Sequence, residues 1–98
     1  MKITKEAIAG TLESSDLLVK VAPNQQGTLE VVVRSEVIKQ FGKQIRKVID
    51  ETLRKLQVME GTVVVEDKGA LDYAIRARVQ TAVLRAAGSE ELKWEQLS

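Results

Sequence analysis

Apolar positions along this chain follow two rhythms. Between Asp16 and Arg34 they alternate with other residues: Leu17, Val19 and Val21 against Leu18, Lys20 and Ala22, then Leu29, Val31 and Val33 within Thr28–Arg34. A period of two is that of a half-buried strand. Pro23-Asn24-Gln25-Gln26-Gly27 separates the two runs, with proline and glycine bracketing polar residues. That is turn chemistry, so the runs are expected to pair as a hairpin. A short extra strand is expected from Ile8 to Glu13, ending at a turn through Ser14 and Ser15, after a lead-in over residues 1–7 that is extended or frayed.

From Val37 the rhythm changes. Val37, Ile38, Phe41, Ile45, Val48, Ile49, Leu53 and Leu56 recur at spacings of one, three and four, the stripe of a long amphipathic helix. Ser35 before it is a good N-cap residue, and Glu36 suits the first turn. The outer face carries Lys39, Lys43, Arg46, Lys47, Asp50, Glu51, Arg54 and Lys55. Gly42 lies within the helix at a cost of about 1 kcal/mol relative to alanine. Close approach of a neighbouring backbone would explain it, and so would simple tolerance.

Glu60-Gly61 closes the helix and opens a third strand, Thr62–Glu66, whose consecutive valines predict cover on one face and part of the other. Asp67-Lys68-Gly69 then turns the chain into a second helix, Ala70 to about Ala87, with Gly88 as its stop. Its inner stripe, Leu71, Ala74, Ile75, Arg78, Val79, Ala82, Val83 and Ala86, is small and alanine-rich. Arg78 interrupts it and must either snorkel outward or meet a carboxylate. The tail over residues 89–98 is polar apart from Leu92, Trp94 and Leu97, and either packs back through Trp94 or meets a partner.

The order strand, strand, helix, strand, helix predicts an α+β fold: a small antiparallel or mixed sheet with two helices packed on one face. The third strand is reached by a crossover through the long helix. Ninety-eight residues with 44% apolar content make one domain, residues 1–98, large enough for a single core. No apolar run approaches the roughly 18 residues of a membrane span. Met1-Lys2-Ile3-Thr4-Lys5-Glu6 is not followed by an uninterrupted apolar segment, so a cytoplasmic chain without a membrane role is expected.

Composition narrows the chemistry. The chain has no cysteine and no histidine. That removes disulfides, thiolate metal sites, the commonest general base and every Ser-His or Cys-His pair, and leaves zinc only carboxylates. The six glycines form no phosphate-binding pattern. Asp50-Glu51 and Glu90-Glu91 are adjacent in sequence, so on a helix their side chains point about 100° apart rather than converging. A stand-alone enzyme and a metal site are not expected; a binding, scaffold or carrier role is.

One stretch stands out. Glu13-Ser14-Ser15-Asp16 holds two adjacent hydroxyls between carboxylates at the bend between two apolar segments. Serine and aspartate are ordinary turn residues, and a hairpin connection alone accounts for them. An exposed turn serine is also a hydroxyl that can be covalently modified without disturbing a core. A carrier of activated acyl groups needs a thiol, and a chain without cysteine must obtain it from a prosthetic group. From chemistry alone, Ser14 and Ser15 are equal candidates for its attachment.

Gly10-Thr11-Leu12-Glu13-Ser14, Lys39-Gln40-Phe41-Gly42 and Asp67-Lys68-Gly69-Ala70-Leu71-Asp72 resemble the acyl carrier (gamma) subunit of citrate lyase over nearly the whole chain. The Trp94-Glu95 pair also resembles that family's tail. The resemblance implies that Ser14 bears 2'-(5''-phosphoribosyl)-3'-dephospho-CoA through a phosphodiester, attached by a dedicated transferase from triphosphoribosyl-dephospho-coenzyme A. It further implies a non-catalytic arm whose thiol carries acetyl. Acetyl is exchanged for citrate on an alpha subunit, and citryl is cleaved to oxaloacetate on a beta subunit. Fatty-acid acyl carriers differ: they place serine in Asp-Ser-Leu within an acidic helical bundle, whereas here the order is Ser15-Asp16-Leu17 between strands, with a net charge of +1.

Two other readings stand beside this one. The carrier of a malonate decarboxylase uses the same kind of arm with different partners, and the Gly10–Ser14 and Asp67–Asp72 segments favour citrate lyase over it. A small nucleic-acid-binding domain would use Lys39, Lys43, Arg46, Lys47, Arg54 and Lys55 on phosphates. Fifteen basic against fourteen acidic residues give it no net positive field, and Phe41, Tyr73 and Trp94 are the only aromatics. Nucleic acid is therefore not an expected partner.

Overall fold

The computed structural model describes residues 1–88. Four strands and two helices follow in the order β1 (Ala7–Gly10), β2 (Leu17–Ala22), β3 (Leu29–Ser35), α1 (Ile38–Lys55), β4 (Gly61–Asp67) and α2 (Asp72–Ala86). The sheet is mixed, with spatial order β1-β2-β4-β3. β1 pairs antiparallel with β2, and β2 antiparallel with β4, while β3 runs parallel to β4. The α+β architecture is as the periodicity predicts.

The expected hairpin between the second and third runs does not form. β4 lies between them, pairing Val63 with Val21 on one side and with Val31 on the other. Alternation specifies which face of a strand is buried, but it does not specify the neighbouring strand. β4 takes the centre, with Val63 and Val65 fully buried, and the β3-α1-β4 crossover sets its parallel partner beside it. The Pro23–Gly27 segment therefore bridges across the start of β4. Asn24 Nδ2 donates to Thr28 O at 3.1 Å and to Thr62 Oγ1 at 3.2 Å, pinning that bridge.

Register places Ala9, Val19, Val65 and Val33 in one row and Ala7, Val21, Val63 and Val31 in the next, all on one face. Both helices cover that face. Ile45, Val48, Ile49 and Leu53 of α1 join Ile75, Val79, Ala82 and Val83 of α2 in a single core with the strand residues. Each such side chain contributes about 1.5–3 kcal/mol on full burial, less for alanine. The alanines let α2 lie close over β1 and β2. No described element covers the opposite face, which carries Ile8, Lys20, Val32 and Val64.

Several boundaries differ from the sequence expectation. Ser35 is the last residue of β3 rather than a helix cap; α1 starts after Val37 without a side-chain cap. The Ser35 hydroxyl still accepts the Val37 N–H at 3.1 Å, while donating to Asp67 at 2.8 Å. Ile38 and Phe41 are exposed, because burial along α1 begins only at Ile45 and the first turns project past the core. Leu71 precedes α2 and is exposed too. At Gly42 an added Cβ meets only the Ile38 side chain, so no neighbouring backbone requires the glycine. The lead-in is anchored rather than frayed: the amino group of Met1 donates to Leu56 O and Gln57 O, Ile3 is in the core, and the N–H groups of Thr4 and Lys5 donate to Ala86 O. Gly88, at a φ of 71°, ends α2 as expected. The expectations for Leu92, Trp94 and Leu97 lie outside the described residues.

Among the described residues Asp67 is the one buried carboxylate, and it organises the end of the sheet. Its oxygens accept the Ser35 hydroxyl at 2.8 Å and the N–H groups of Gly69 at 3.1 Å and Ala70 at 2.9 Å. An amide there offers one acceptor oxygen and turns an NH₂ toward groups that donate. Asp67→Asn is expected to lower unfolding free energy by about 1–2 kcal/mol, read from urea denaturation.

Candidate functional site

Leu17, Asp67 and Ser35 stand in one cross-strand row at the end of the sheet. The loops leaving that row, residues 11–16, 36–37 and 68–71, therefore cluster together, beside the first turns of both helices. The stretch singled out by sequence lies here. β1 ends at Gly10, whose φ is 94°. The chain then folds over so that the Thr11 N–H donates to Leu17 O at 3.0 Å. Glu13-Ser14-Ser15-Asp16 closes as a tight turn, with the Asp16 N–H on Glu13 O at 3.1 Å. Ser15 has a φ of 66°, the positive value that a type II turn requires at its third residue.

Side chains within the loop fix it from inside. Thr11 Oγ1 donates to Asp16 Oδ2 at 2.7 Å and accepts the Glu13 N–H at 3.2 Å. Asp16 Oδ1 accepts the Leu17 N–H at 2.8 Å. Two backbone bonds stitch the loop to the neighbouring one: Ser15 N–H to Lys68 O at 2.8 Å and Lys68 N–H to Asp16 O at 2.9 Å.

Arg78 completes the frame. From the middle of α2 it reaches Asp16 with two parallel bonds, Nε to Oδ1 at 3.1 Å and Nη2 to Oδ2 at 2.9 Å. Of the two outcomes foreseen for this arginine, it meets a carboxylate. Its hydrogen bonds, with that of Thr11, hold the Asp16 carboxyl down to about 2 from an ordinary 3.8, against a smaller opposing effect of burial. A carboxylate so held is a strut and a poor proton acceptor.

The depressed value fixes the pH dependence. Asp16 binds its proton more readily in the unfolded chain, so its stabilisation is complete above about pH 4 and fades as pH falls towards 2. Urea midpoints measured across that window are expected to fall for the wild type and to fall less for Asp16→Asn. At neutral pH Asp16→Asn is expected to cost about 1–2 kcal/mol, since the pair is bidentate but only partly shielded from water.

What the frame leaves outward is the pair of serines. Both are exposed, and the side-chain hydrogen bonds of the loop come from Thr11 and Asp16. Their backbones differ. Ser15 sits at the strained position with its N–H tied to Lys68, whereas Ser14 occupies the second position of the turn, at its tip. Glu13 is likewise exposed. Lys68, on the adjoining loop, pairs with Glu36 at 3.0 Å.

The three sequence segments on which the resemblance rests come together at this end. Gly10–Ser14 forms the serine loop, and Asp67–Asp72 is the loop bonded to it. Phe41, of the third segment, faces Leu71 and Ala70 across an open cleft that Val37 and Ile45 also line. Sequence reasoning did not foresee the parts played by Gly10, Thr11 and the Lys68 backbone. A single arginine in an otherwise apolar stripe was the signal available for Arg78. Among the described residues no cluster of carboxylates is arranged to hold a metal ion.

The chain is similar to known proteins along nearly its whole length. Residues 4–86 match the family model described as "ACP: Malonate decarboxylase delta subunit (MdcD)". The chain is 67% identical over 97 residues to the citrate lyase acyl carrier protein of Albidiferax ferrireducens, covering 99% of each. It is 64% identical to that of Pectobacterium atrosepticum, covering 99% of this chain and 100% of the relative. With that of Vibrio cholerae it shares 54% over the full length of both. Its fold is similar to that of a chain in the crystal structure of a Pseudomonas malonate decarboxylase hetero-tetramer in complex with malonate, at a TM-score of 0.75 and 20% identity over 86% of each chain.

Proposed function

The chain belongs to the citrate lyase acyl carrier protein family, and from that premise we propose that it is the acyl carrier subunit of a cytoplasmic citrate lyase, with Ser14 as the attachment point of its prosthetic group. The proposed group is 2'-(5''-phosphoribosyl)-3'-dephospho-CoA. When bound, it supplies a thiol at the end of a long arm, the thioester chemistry that a chain without cysteine lacks.

The observation that carries this reading is the exposed Ser14 at the tip of a braced turn, with Arg78, Asp16 and Thr11 holding the loop from behind. The site fits the group in the sense that matters for a tether: nothing packed must move to admit a bulky substituent on Ser14 Oγ. Forming the phosphodiester bonds that oxygen to phosphorus, expels pyrophosphate from the triphosphoribosyl donor and releases the hydroxyl proton. Among the described residues no side chain is hydrogen-bonded to the Ser14 hydroxyl to take that proton. There is no histidine, and the nearby Asp16 is committed to Arg78 and Thr11. The base must therefore belong to a dedicated transferase.

In this reading the chain is a non-catalytic subunit that works with an alpha subunit (acyl transferase) and a beta subunit (citryl lyase). Its contribution is to keep the tethered group at high local concentration near both. Relatives at 54–67% identity carry the citrate lyase name, whereas the malonate decarboxylase chain shares only 20%, which favours citrate as the substrate. The test is reconstitution. Purified alpha and beta subunits supplied with the loaded chain are expected to release oxaloacetate from citrate over many turnovers. No release with the loaded chain, or release that does not depend on it, would overturn the proposal.

A further inference from the structure

The two edges of the sheet are finished differently. At one edge, β1 is four residues long and ends at Gly10, and its Ile8 carbonyl accepts a bond from Arg85 Nη1 at 2.8 Å. A short strand and an occupied backbone keep an edge from pairing further. At the other edge, β3 has neither protection. It runs for seven residues, Leu-Glu-Val-Val-Val-Arg-Ser, without proline, glycine or lysine, in unbroken register with β4.

One bond gives the direction of its backbone groups. Thr28 O accepts the Gly61 N–H at 3.2 Å, so Thr28 turns towards β4. Strand residues alternate, which turns Glu30, Val32 and Arg34 to β4 as well and directs the N–H and C=O groups of Leu29, Val31 and Val33 outward. Among the described residues no strand lies beyond β3, and no loop backbone bonds those outward groups. The side chains are open too. Val31 and Val33 share the core face with Val19, Val21, Val63 and Val65, which are fully buried, yet both are only partly covered. The core stops short of its last strand.

The sequence of β3 is complementary to itself. Laid antiparallel beside a second β3 and centred on Val32, it sets Glu30 opposite Arg34 at both ends and Val31 opposite Val33 twice. Opposite residues share a face, so both ion pairs fall on the open face and the valines extend the core face. Val31 and Val33 both direct their backbone groups outward, so as opposite residues they exchange N–H and C=O bonds. A slip of one residue opposes side chains of different faces, and a slip of two sets Val32 against Glu30 or Arg34. Among the described residues Glu30 has no ion partner of its own, while Arg34 lies 3.5 Å from Glu66.

We propose that this chain pairs with a second copy of itself through the outer edges of β3, joining the two four-stranded sheets into one about a two-fold axis at Val32. Both helix layers then lie on the same side. The strands of the pair are antiparallel, so the Ser14 loops, which leave the sheet at its Ser35 end, stand at opposite ends and clear of the contact. The inference goes beyond the carrier reading and does not depend on what Ser14 bears.

The test is sedimentation velocity of the full-length chain from about 0.01 to about 1 mM, a range that covers weak specific association, with amide hydrogen exchange at both limits. Wild type is expected to move from the monomer towards twice its mass as concentration rises. Over the same range the Val31 and Val33 amides are expected to slow about tenfold, while those of Glu30 and Val32, already turned to β4, do not change. Glu30→Arg and Arg34→Glu each oppose like charges at both ends and are expected to weaken pairing about tenfold. Adding Glu30→Arg to Arg34→Glu restores opposite charges and is expected to recover about that tenfold, with the Glu66 contact the same in both variants. Val31→Pro removes an outward N–H at an edge position that tolerates proline, and is expected to leave only monomer. If circular dichroism shows Val31→Pro unfolded, the charge variants carry the test.

A wild type that stays monomeric at the highest concentration overturns the inference. A dimer unchanged by Glu30→Arg and by folded Val31→Pro also overturns it, because another surface then holds the pair. A double variant that pairs no better than Arg34→Glu overturns the pairing centred on Val32. Edge amides that slow only when a purified alpha or beta subunit is added overturn the second copy in favour of a partner's strand.

Discussion

Ser14→Ala is expected to abolish loading and with it all citrate cleavage in the reconstituted system, while leaving the fold intact. The hydroxyl is exposed, so its loss changes stability by no more than about 0.5 kcal/mol. The informative control is Ser15→Gly rather than Ser15→Ala. Ser15 holds a φ of 66°, where a side chain is strained and glycine is not. Ser15→Gly therefore removes the second hydroxyl without loosening the turn, and it is expected to retain loading and cleavage. Intact mass reads the loading and oxaloacetate release reads the activity. Loading that survives Ser14→Ala and is lost in Ser15→Gly would move the tether by one residue.

Gly10→Ala is expected to be the most damaging single change to the loop's foundation. Gly10 combines a φ of 94° with a backbone so close to Leu17 that an added Cβ would lie 1.9 Å from the Leu17 carbonyl oxygen. That oxygen belongs to the first residue of β2, an inner strand of the sheet, and accepts the Thr11 N–H, so it cannot withdraw without breaking the loop's first bond. Left-handed strain and the clash together are expected to cost about 3 kcal/mol or more. A single domain of this size has only about 5–15 kcal/mol to lose. The urea midpoint should fall accordingly. Loading by the transferase is expected to slow even under conditions where the variant is folded, because the turn no longer closes on Leu17. A midpoint unchanged from wild type would contradict the close approach.

Much of this architecture could be read in advance. The alternation of Leu17, Val19 and Val21 locates β2, the three-four spacing from Ile45 to Leu53 locates the buried part of α1, and Gly88 marks the end of α2. What could not be read is what depends on partners distant in sequence. Nothing local distinguishes β3 from β4 as the neighbour of β2, because a period of two fixes a face and not a pairing. Ile38 and Phe41 carry the helix rhythm but lie beyond the reach of the sheet, so their exposure follows from where the core ends. At the site, the Glu-Ser-Ser-Asp turn was legible. Its bracing was not, since Arg78 and Asp16 are 62 residues apart. An arginine within an alanine-rich stripe announced an unusual environment without naming its partner.

The same distinction separates the two serines. Composition offers both hydroxyls equally, and both are exposed. The backbone treats them differently, giving Ser15 the strained position and the bond to Lys68, and Ser14 the tip. A residue whose N–H and φ are both committed is a poorer place for a swinging tether than its neighbour, which supports Ser14 over Ser15.

The most direct measurement is the intact mass of this protein purified from its native host during citrate fermentation, followed by a digest that locates any added group. The account predicts one increment matching phosphoribosyl-dephospho-CoA, held on the peptide containing Ser14 and assigned to that side chain by fragmentation. An increment on Ser15 would contradict the assignment of the residue. An unmodified chain from such cells would contradict the carrier function itself.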